Sequence, residues 1–233
     1  MNRRALRVID DYLPVNQCES ILASIRSYRL THEPPLIDRA VRGRSLRYRV
    51  IDGNMIQRRL CDLEELYLRT AQLIGAWSGY ELAPIADRVA GINVNITPPG
   101  GEYRWHYDRN EVTAIVYLNE VDGGATEIYA NHRILLPSRL RVAQPKLDAV
   151  VGTRAILALT GTKSVVLPRP GRLVVMHGDR CLHSVCPVEG THERINICMA
   201  YDRVGSHPRP RQALDAYLYT EQTVDSRDPN YLS

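Results

Sequence analysis

His106 and Asp108 are the residues of this 233-residue chain whose types and spacing most directly suggest chemistry. They stand two apart in Trp105-His106-Tyr107-Asp108. Side chains two apart on a strand leave the same face, so an imidazole and a carboxylate can converge on one point. Two histidines and one carboxylate on one face of an octahedron leave three open positions, a donor set that suits non-haem Fe(II). The third ligand of such a triad must come from a distant strand. His-x-Asp alone is weak, because many surface loops contain it. His32, His132 and His207 have no partners by spacing and read as surface or structural, and His192 falls in a turn. His177 and His183 are left as candidates.

The elements that would position such a site follow from periodicity. Residues 5–9 read as a strand. A helix starts at Pro14–Glu19, with Asn16 as cap and Glu19 three residues on, as a capping box requires. Ile21, Leu22, Ile25 and Leu30 form its apolar face. A second helix is expected over 55–77, from Ile56, Leu60, Leu63, Leu66 and Leu73. From residue 88 the pattern turns to strands. Over 89–97, Val94 and Ile96 lie on one face and Asn93, Asn95 and Thr97 on the other. Residues 103–108 continue extended, which puts Arg104 on the face of His106 and Asp108. Further strands are expected at 112–119, 126–129, 172–177 and 194–201, separated by Gly and Pro turns. Short strands of this kind point to an antiparallel barrel or sandwich. The organisation expected is a strand with supporting helices over 1–87, a strand-rich core over 88–203 and a polar tail over 204–233 with one helix at 211–219. An excursion at about 131–163 interrupts the core. It carries Arg133, Arg139, Arg141, Lys146 and Arg154, and an expected helix at 147–159.

In chain order stand His106-Tyr107-Asp108, Tyr117-Leu118-Asn119, Gly123-Gly124, Pro168–Gly171, His183–Val188 and Arg194. Over residues 88–203 this order resembles the prolyl-4-hydroxylase-like branch of the Fe(II)/2-oxoglutarate-dependent oxygenases. The resemblance implies an α+β chain with a mainly β core, a double-stranded β-helix (jelly roll) buttressed by N-terminal helices. It implies His183 as the third metal ligand, because its spacing to Pro187-Val188 and Arg194 fits better than that of His177. Arg194 matches the arginine that grips the distal carboxylate of 2-oxoglutarate, a task suited to a guanidinium fork. Tyr117 is either a contact of that carboxylate or a core aromatic. Thr126 is expected to face the same pocket. Asn95 is a candidate for the cosubstrate, and Asn93 and Arg104 for the substrate. For the two asparagines the alternative is a strand face turned to solvent, and for Arg104 a charge on the rim.

The implied cofactors are Fe(II), 2-oxoglutarate and dioxygen, with ascorbate as a candidate reductant. The implied activity is a dioxygenase hydroxylating an unactivated C–H bond of a small molecule, a free amino acid or natural-product intermediate, with release of succinate and carbon dioxide. Retention of Asp108 favours hydroxylation over halogenation, for which a small residue replaces the carboxylate. Desaturation or ring closure stays open, as do a prolyl hydroxylase of a protein or peptide and a non-catalytic metal-binding sensor on the same fold. The related nucleic-acid demethylases carry a second arginine six residues after the first, where this chain has Ala200. The link from Gly124 to Gly171 is longer than the family's. Residues 131–163 are therefore expected either to cover the pocket mouth or to form a surface excursion or dimer contact.

Composition sets the remaining bounds. Hydrophobic residues are 44%, charged residues 24% and the formal charge +4, with no run of like charges, so no nucleic-acid or membrane partner is expected. A small-molecule partner is expected, and a homodimer if any oligomer forms. No stretch approaches the roughly 18 apolar residues of a membrane span. The N-terminus lacks the apolar core of a signal peptide. Five cysteines form no paired framework and read as reduced thiols of a cytoplasmic protein. A zinc site through Cys181 and Cys186 is a weak alternative, lacking a second cysteine pair.

Overall fold

The computed structural model describes residues 5–41, 44–85 and 87–205. The chain opens with β1 (Leu6–Ile9), α1 (Val15–Thr31) and the hairpin β2 (Leu36–Val41)–β3 (Arg44–Ile51). Helices α2 (Gly53–Arg59) and α3 (Asp62–Ser78), a short β4 (Leu82–Pro84) and one turn of helix, α4 (Arg88–Gly91), lead into the core strands. These are β5 (Ile92–Thr97), β6 (Tyr103–His106), β7 (Val112–Tyr117) and β8 (Thr126–Tyr129). A 3-10 turn (Ser138–Ala143) and helices α5 (Gln144–Val151) and α6 (Arg154–Thr160) follow. The chain then forms β9 (Lys163–Val166), β10 (Leu173–Met176), β11 (Leu182–Val185) and β12 (Arg194–Arg203).

Alternation along the strands decides the layers. The major sheet runs β1-β10-β7-β12-β5-β3-β2, with β4 also on β12, and the minor sheet runs β6-β11-β8-β9. Pairing is antiparallel in both. One face of the major sheet presents Val94, Ile96, Val116 and Ile197 to Ile21 and Ile25 of α1 and to Leu63, Leu66 and Ile74 of α3. Each such side chain stabilises the fold by about 1.5–3 kcal/mol on burial. The other face meets the minor sheet, where Ile115, Tyr117, Val174 and Met176 pack against Ile128 and Val166. Two antiparallel sheets packed in this way form the double-stranded β-helix, mainly β with supporting helices. The polar set Asn93, Asn95 and Thr97 alternates with Val94 and Ile96 as expected, and lines the cavity between the sheets.

Several local expectations are corrected. Helix α1 has Pro14 in the cap position with no side-chain cap bond, and Asn16 Oδ1 accepts only from the N–H of Gln17. Pro14 brings the extended backbone that a cap needs, so the helix starts ahead of Asn16. Leu30 is 86% exposed and leaves the apolar face. The helix expected at 55–77 is two helices that part at Leu60–Cys61, the first capped by Asp52 Oδ1, which accepts from Met55 N at 2.9 Å. Ile56 of the first, Leu60 at the break and Leu63 and Leu66 of the second bury in one core, so the apolar spacing runs through the break. The helix at 147–159 is likewise divided at Gly152. The hairpin β2–β3 and strand β9 extend the expected strand set. The expected helix at 211–219 lies outside the described residues.

The described part of the excursion packs behind the minor sheet. Leu157 of α6 packs with Tyr107 and Leu182, and with the partly buried Trp105 and Tyr129. These side chains alternate with His106, His183 and Ile128, so they belong to the outer face of the minor sheet. The described residues that line the cavity between the sheets all lie outside 131–163. Strands β8 and β9 are neighbours at the sheet's edge, and the chain joining them returns across the back.

Candidate metal centre and cosubstrate pocket

Strand register brings the triad together. His183 on β11 is paired with His106 on β6, and Asp108 follows just beyond the end of β6. His106 Nε2 lies 3.4 Å from Asp108 Oδ1, and His183 Nε2 lies 3.6 Å from the same oxygen. Among the described residues these three are the one group of histidine, cysteine or acidic side chains close enough to hold a metal. His177 is not among them, and neither is the cysteine pair 181 and 186; all five cysteines are free thiols.

The residues around the triad aim its donor atoms. His106 Nδ1 is 2.8 Å from the carbonyl of Arg104, and His183 Nδ1 is 3.0 Å from that of Cys181. A ring nitrogen facing a carbonyl must carry the proton, which leaves each Nε2 lone pair turned to the centre. The Thr113 hydroxyl donates to Asp108 Oδ2 at 2.5 Å, and Asn110 Nδ2 donates to Thr113 Oγ1 at 2.9 Å. Oδ1 is thereby left towards the histidines. Burial, and then the neighbouring His106, lower the His183 pKa to about 4, so it is neutral at pH 7. Burial alone would raise Asp108, but His183, His106 and the Thr113 hydrogen bond outweigh it and hold the carboxyl at about 2. Gly178 closes the back of the centre. Its carbonyl accepts from Asp108 N at 2.9 Å, and a Cβ there would meet Thr113 Oγ1 at 2.5 Å.

Arg194 opens β12 and is 2% exposed. One of its amino groups donates to Asn196 Oδ1 and the other to Thr126 Oγ1 at 3.1 Å. Its buried Nε has no hydrogen-bond partner. A buried guanidinium with an unused N–H is suited to an anion. Tyr117 supports it from below, with Arg194 Cζ 5.0 Å from the ring centroid and the tyrosine hydroxyl 2.6 Å from Thr126 Oγ1. Thr126 lies two residues along β8 from Ile128, the partner of His183. Arg194, tied to Thr126, therefore stands beside the strand that carries His183, and it lines the same cavity as the triad. Gly124 makes room for the arginine: at φ +58 a Cβ would lie 2.9 Å from Arg194 Cδ.

The cavity between the sheets measures about 100 Å³. Asn93, Asn95, Thr126 and Arg194 line it with the triad, as the sequence led us to expect for these positions. Arg104 does not line it. The register slips between His183–His106 and Val185–Tyr103, so three residues of β6 span two of β11. Such a bulge breaks simple alternation. Tyr103 therefore joins His106 in the lining, their ring centroids 4.5 Å apart, and Arg104 touches the site through its carbonyl. Residues missed from the sequence are Thr113, Asn110, Gly178, Tyr48, Tyr103 and Arg109. Thr113 was within reach of the alternation argument, since it falls on the inner face of an expected strand; the others had no local signal.

The sequence model of the 2OG-Fe(II) oxygenase superfamily matches residues 92–201, a stretch that contains the triad and Arg194. The strand core over these residues is that of a 2OG-Fe(II) oxygenase. Fe(II) and 2-oxoglutarate are this oxygenase's cofactor and cosubstrate, and two imidazoles with one carboxylate form a donor set that fits the metal. Solved structures share the fold. The epimerase SnoN from nogalamycin biosynthesis is 16% identical with TM-score 0.69, over 98% of this chain and 91% of its own. The carbocyclase SnoK from the same biosynthesis is 14% identical with TM-score 0.63, over 84% of this chain and 79% of its own. A Pseudomonas putida prolyl-4-hydroxylase is 21% identical with TM-score 0.52, over 85% and 92%. Another structure of SnoN contains Fe3+, alpha ketoglutarate and nogalamycin RO. No curated protein matches the oxygenase in sequence. Among the described residues no helix is long and apolar enough to cross a membrane.

Proposed function

We propose that this oxygenase hydroxylates an unactivated C–H bond of a small molecule, a natural-product intermediate or free amino acid. His106, Asp108 and His183 would hold the iron, and Arg194 the distal carboxylate of 2-oxoglutarate. The observation that carries this reading is the buried, unpartnered Nε of Arg194 in the cavity that the three convergent metal donors also line. Iron bound there would supply the oxygen-activating chemistry that consumes 2-oxoglutarate and yields succinate and carbon dioxide.

The chain's own residues do the rest. The carbonyls of Arg104 and Cys181 hold the two Nδ1 protons, so that each Nε2 can bind metal. Thr113 keeps one oxygen of Asp108 occupied. Thr126 and Asn196 hold the Arg194 fork flat, and Tyr117 packs beneath it. Ile85, Ala90, Ile115 and Val185 exclude water from the cavity. Tyr48 and Tyr103, with ring centroids 5.4 Å apart, form an aromatic wall for the substrate, with Asn93 and Arg109 as its polar contacts. We assign Arg104 to hold His106 and not to contact substrate.

A second outcome from the same site, epimerisation or ring closure, is supported by the likeness in fold to SnoN and SnoK, named as an epimerase and a carbocyclase. The prolyl-4-hydroxylase likeness supports a peptide substrate, with a lower TM-score than either.

The test is anaerobic addition of Fe(II) and 2-oxoglutarate to apo-protein, read by the visible metal-to-ligand charge-transfer band. Wild type should show the band, His106→Ala should lose it, and Arg194→Ala should need at least tenfold more 2-oxoglutarate to reach it. A folded wild type without the band would overturn the assignment. Product mass with a substrate panel then separates a gain of one oxygen from ring closure or epimerisation.

A further inference from the structure

Behind the metal ligands lies a buried polar cluster that the proposed chemistry does not use. Tyr107, between His106 and Asp108, is fully buried on the outer face of the minor sheet. Arg133 lays its guanidinium over that ring, with Cζ 4.7 Å from the centroid. The His132 Nδ1 atom lies 3.3 Å from the Tyr107 hydroxyl. Asp148, 2% exposed, accepts from Arg133 Nε at 3.0 Å and from Nη2 at 2.6 Å. Gln144 ties the group together: Nε2 donates to Asp148 Oδ1 and to the carbonyl of Ile134, and Oε1 accepts from Leu136 N.

The same segment reaches the third ligand. The backbone N–H groups of His132 and Arg133 donate to the carbonyl of Arg180 at 2.9 and 3.0 Å. The next residue, Cys181, provides the carbonyl that orients His183. Leu157 packs on Tyr107 and Leu182, the sequence neighbours of all three ligands. Burying a carboxylate and a guanidinium carries a desolvation cost that a simple surface excursion has no need to meet. A close-packed interior transmits displacement, and ligand orientation sets metal affinity.

We propose that residues 131–163 form a back-plate that positions the metal ligands, with Arg133 and Asp148 as positioning residues acting through Tyr107. This rests on the reading that His106, Asp108 and His183 bind metal. The back-plate locks the strand that ends at His106, with Asp108 just beyond it, against the one carrying His183, and fixes the shape of the site from outside it.

The experiment is anaerobic Co(II) titration of the full chain, recording Kd and the visible d–d spectrum. Wild type, Arg133→Met, Asp148→Asn, Leu157→Ala and Ile74→Val are compared, with folding checked by circular dichroism. The three back-plate variants should bind roughly tenfold more weakly with an altered d–d pattern. Ile74→Val, trimmed in the helical layer far from the minor sheet, should keep both. Folded Arg133→Met and Asp148→Asn with wild-type Kd and spectrum overturn the back-plate, as does an equal loss in Ile74→Val. If the polar variants do not fold, Leu157→Ala decides on the same readouts. A wild type that takes up no Co(II) overturns the metal reading itself, which unchanged variants beside a binding wild type would not.

Discussion

At the scale of single residues, donor atoms are aimed by groups one step removed. Thr113 shows this most directly, because its hydroxyl occupies Asp108 Oδ2. Thr113→Val keeps the shape and removes the hydroxyl. It should weaken Co(II) binding by about tenfold and also lower the thermal midpoint by a few degrees, since Asp108 Oδ2 and Asn110 Nδ2 lose a buried partner worth about 1–3 kcal/mol, as paired titration and melting would show. The titrating groups of the apo-protein have a signed consequence. His183 resists protonation down to about 4 in the folded state, against 6.5 ordinarily, so the unfolded chain takes up that proton first. Stability is fully present above 6.5 and falls as pH drops from 6.5 towards 4. Asp108, held at about 2 against 3.8, adds a loss across that lower window. Urea midpoints of metal-free protein should therefore fall between pH 7 and pH 4.5, and His183→Asn should flatten the slope.

At the scale of elements, the site depends on what strands and turns leave open. Gly124 holds a left-handed φ of +58 and stands against the stem of Arg194. Gly124→Ala should raise the KM for 2-oxoglutarate by roughly tenfold to a hundredfold through a displaced guanidinium, and leave Co(II) affinity unchanged. Steady-state kinetics and metal titration would separate the two effects. Much of this level was legible beforehand: the inward asparagines of β5, the Gly-Gly turn, and strands β7, β10 and β12 follow from alternation and turn residues. The β6 bulge was not, because an extra residue between paired positions leaves no mark in the alternation. The split of the helix expected at 55–77 was hidden for a related reason, since both pieces feed one hydrophobic core.

At the scale of the whole molecule, three layers follow one another: helices, major sheet and minor sheet, with the back-plate outside the last. This ordering sorts the thiols. Cys198 in the cavity and Cys181 behind the triad are pushed by burial up to about 12, whereas Cys61 is exposed. Native protein at pH 8 should be alkylated rapidly at Cys61, slowly at the half-buried Cys198 and at Cys181 only after unfolding, as peptide mass spectrometry would resolve. Rapid labelling of Cys181 in the native state would mean that the minor sheet opens far more widely than this packing allows.

The sequence by itself determined the chemistry and the layers. His-x-Asp, the later His183 and Arg194 are ordered residue types, and alternation assigns faces locally with a period of two. Only the tertiary structure decided how distant segments meet. Register placed His183 opposite His106, and strand pairing brought Arg194 into the cavity that the triad lines. The bulge exchanged Tyr103 for Arg104 in the cavity lining. The path of the chain from β8 to β9 put residues 131–163 behind the metal ligands and not over the cavity. Register, bulges and crossings are properties of pairs of segments far apart in the chain, and no local period records them.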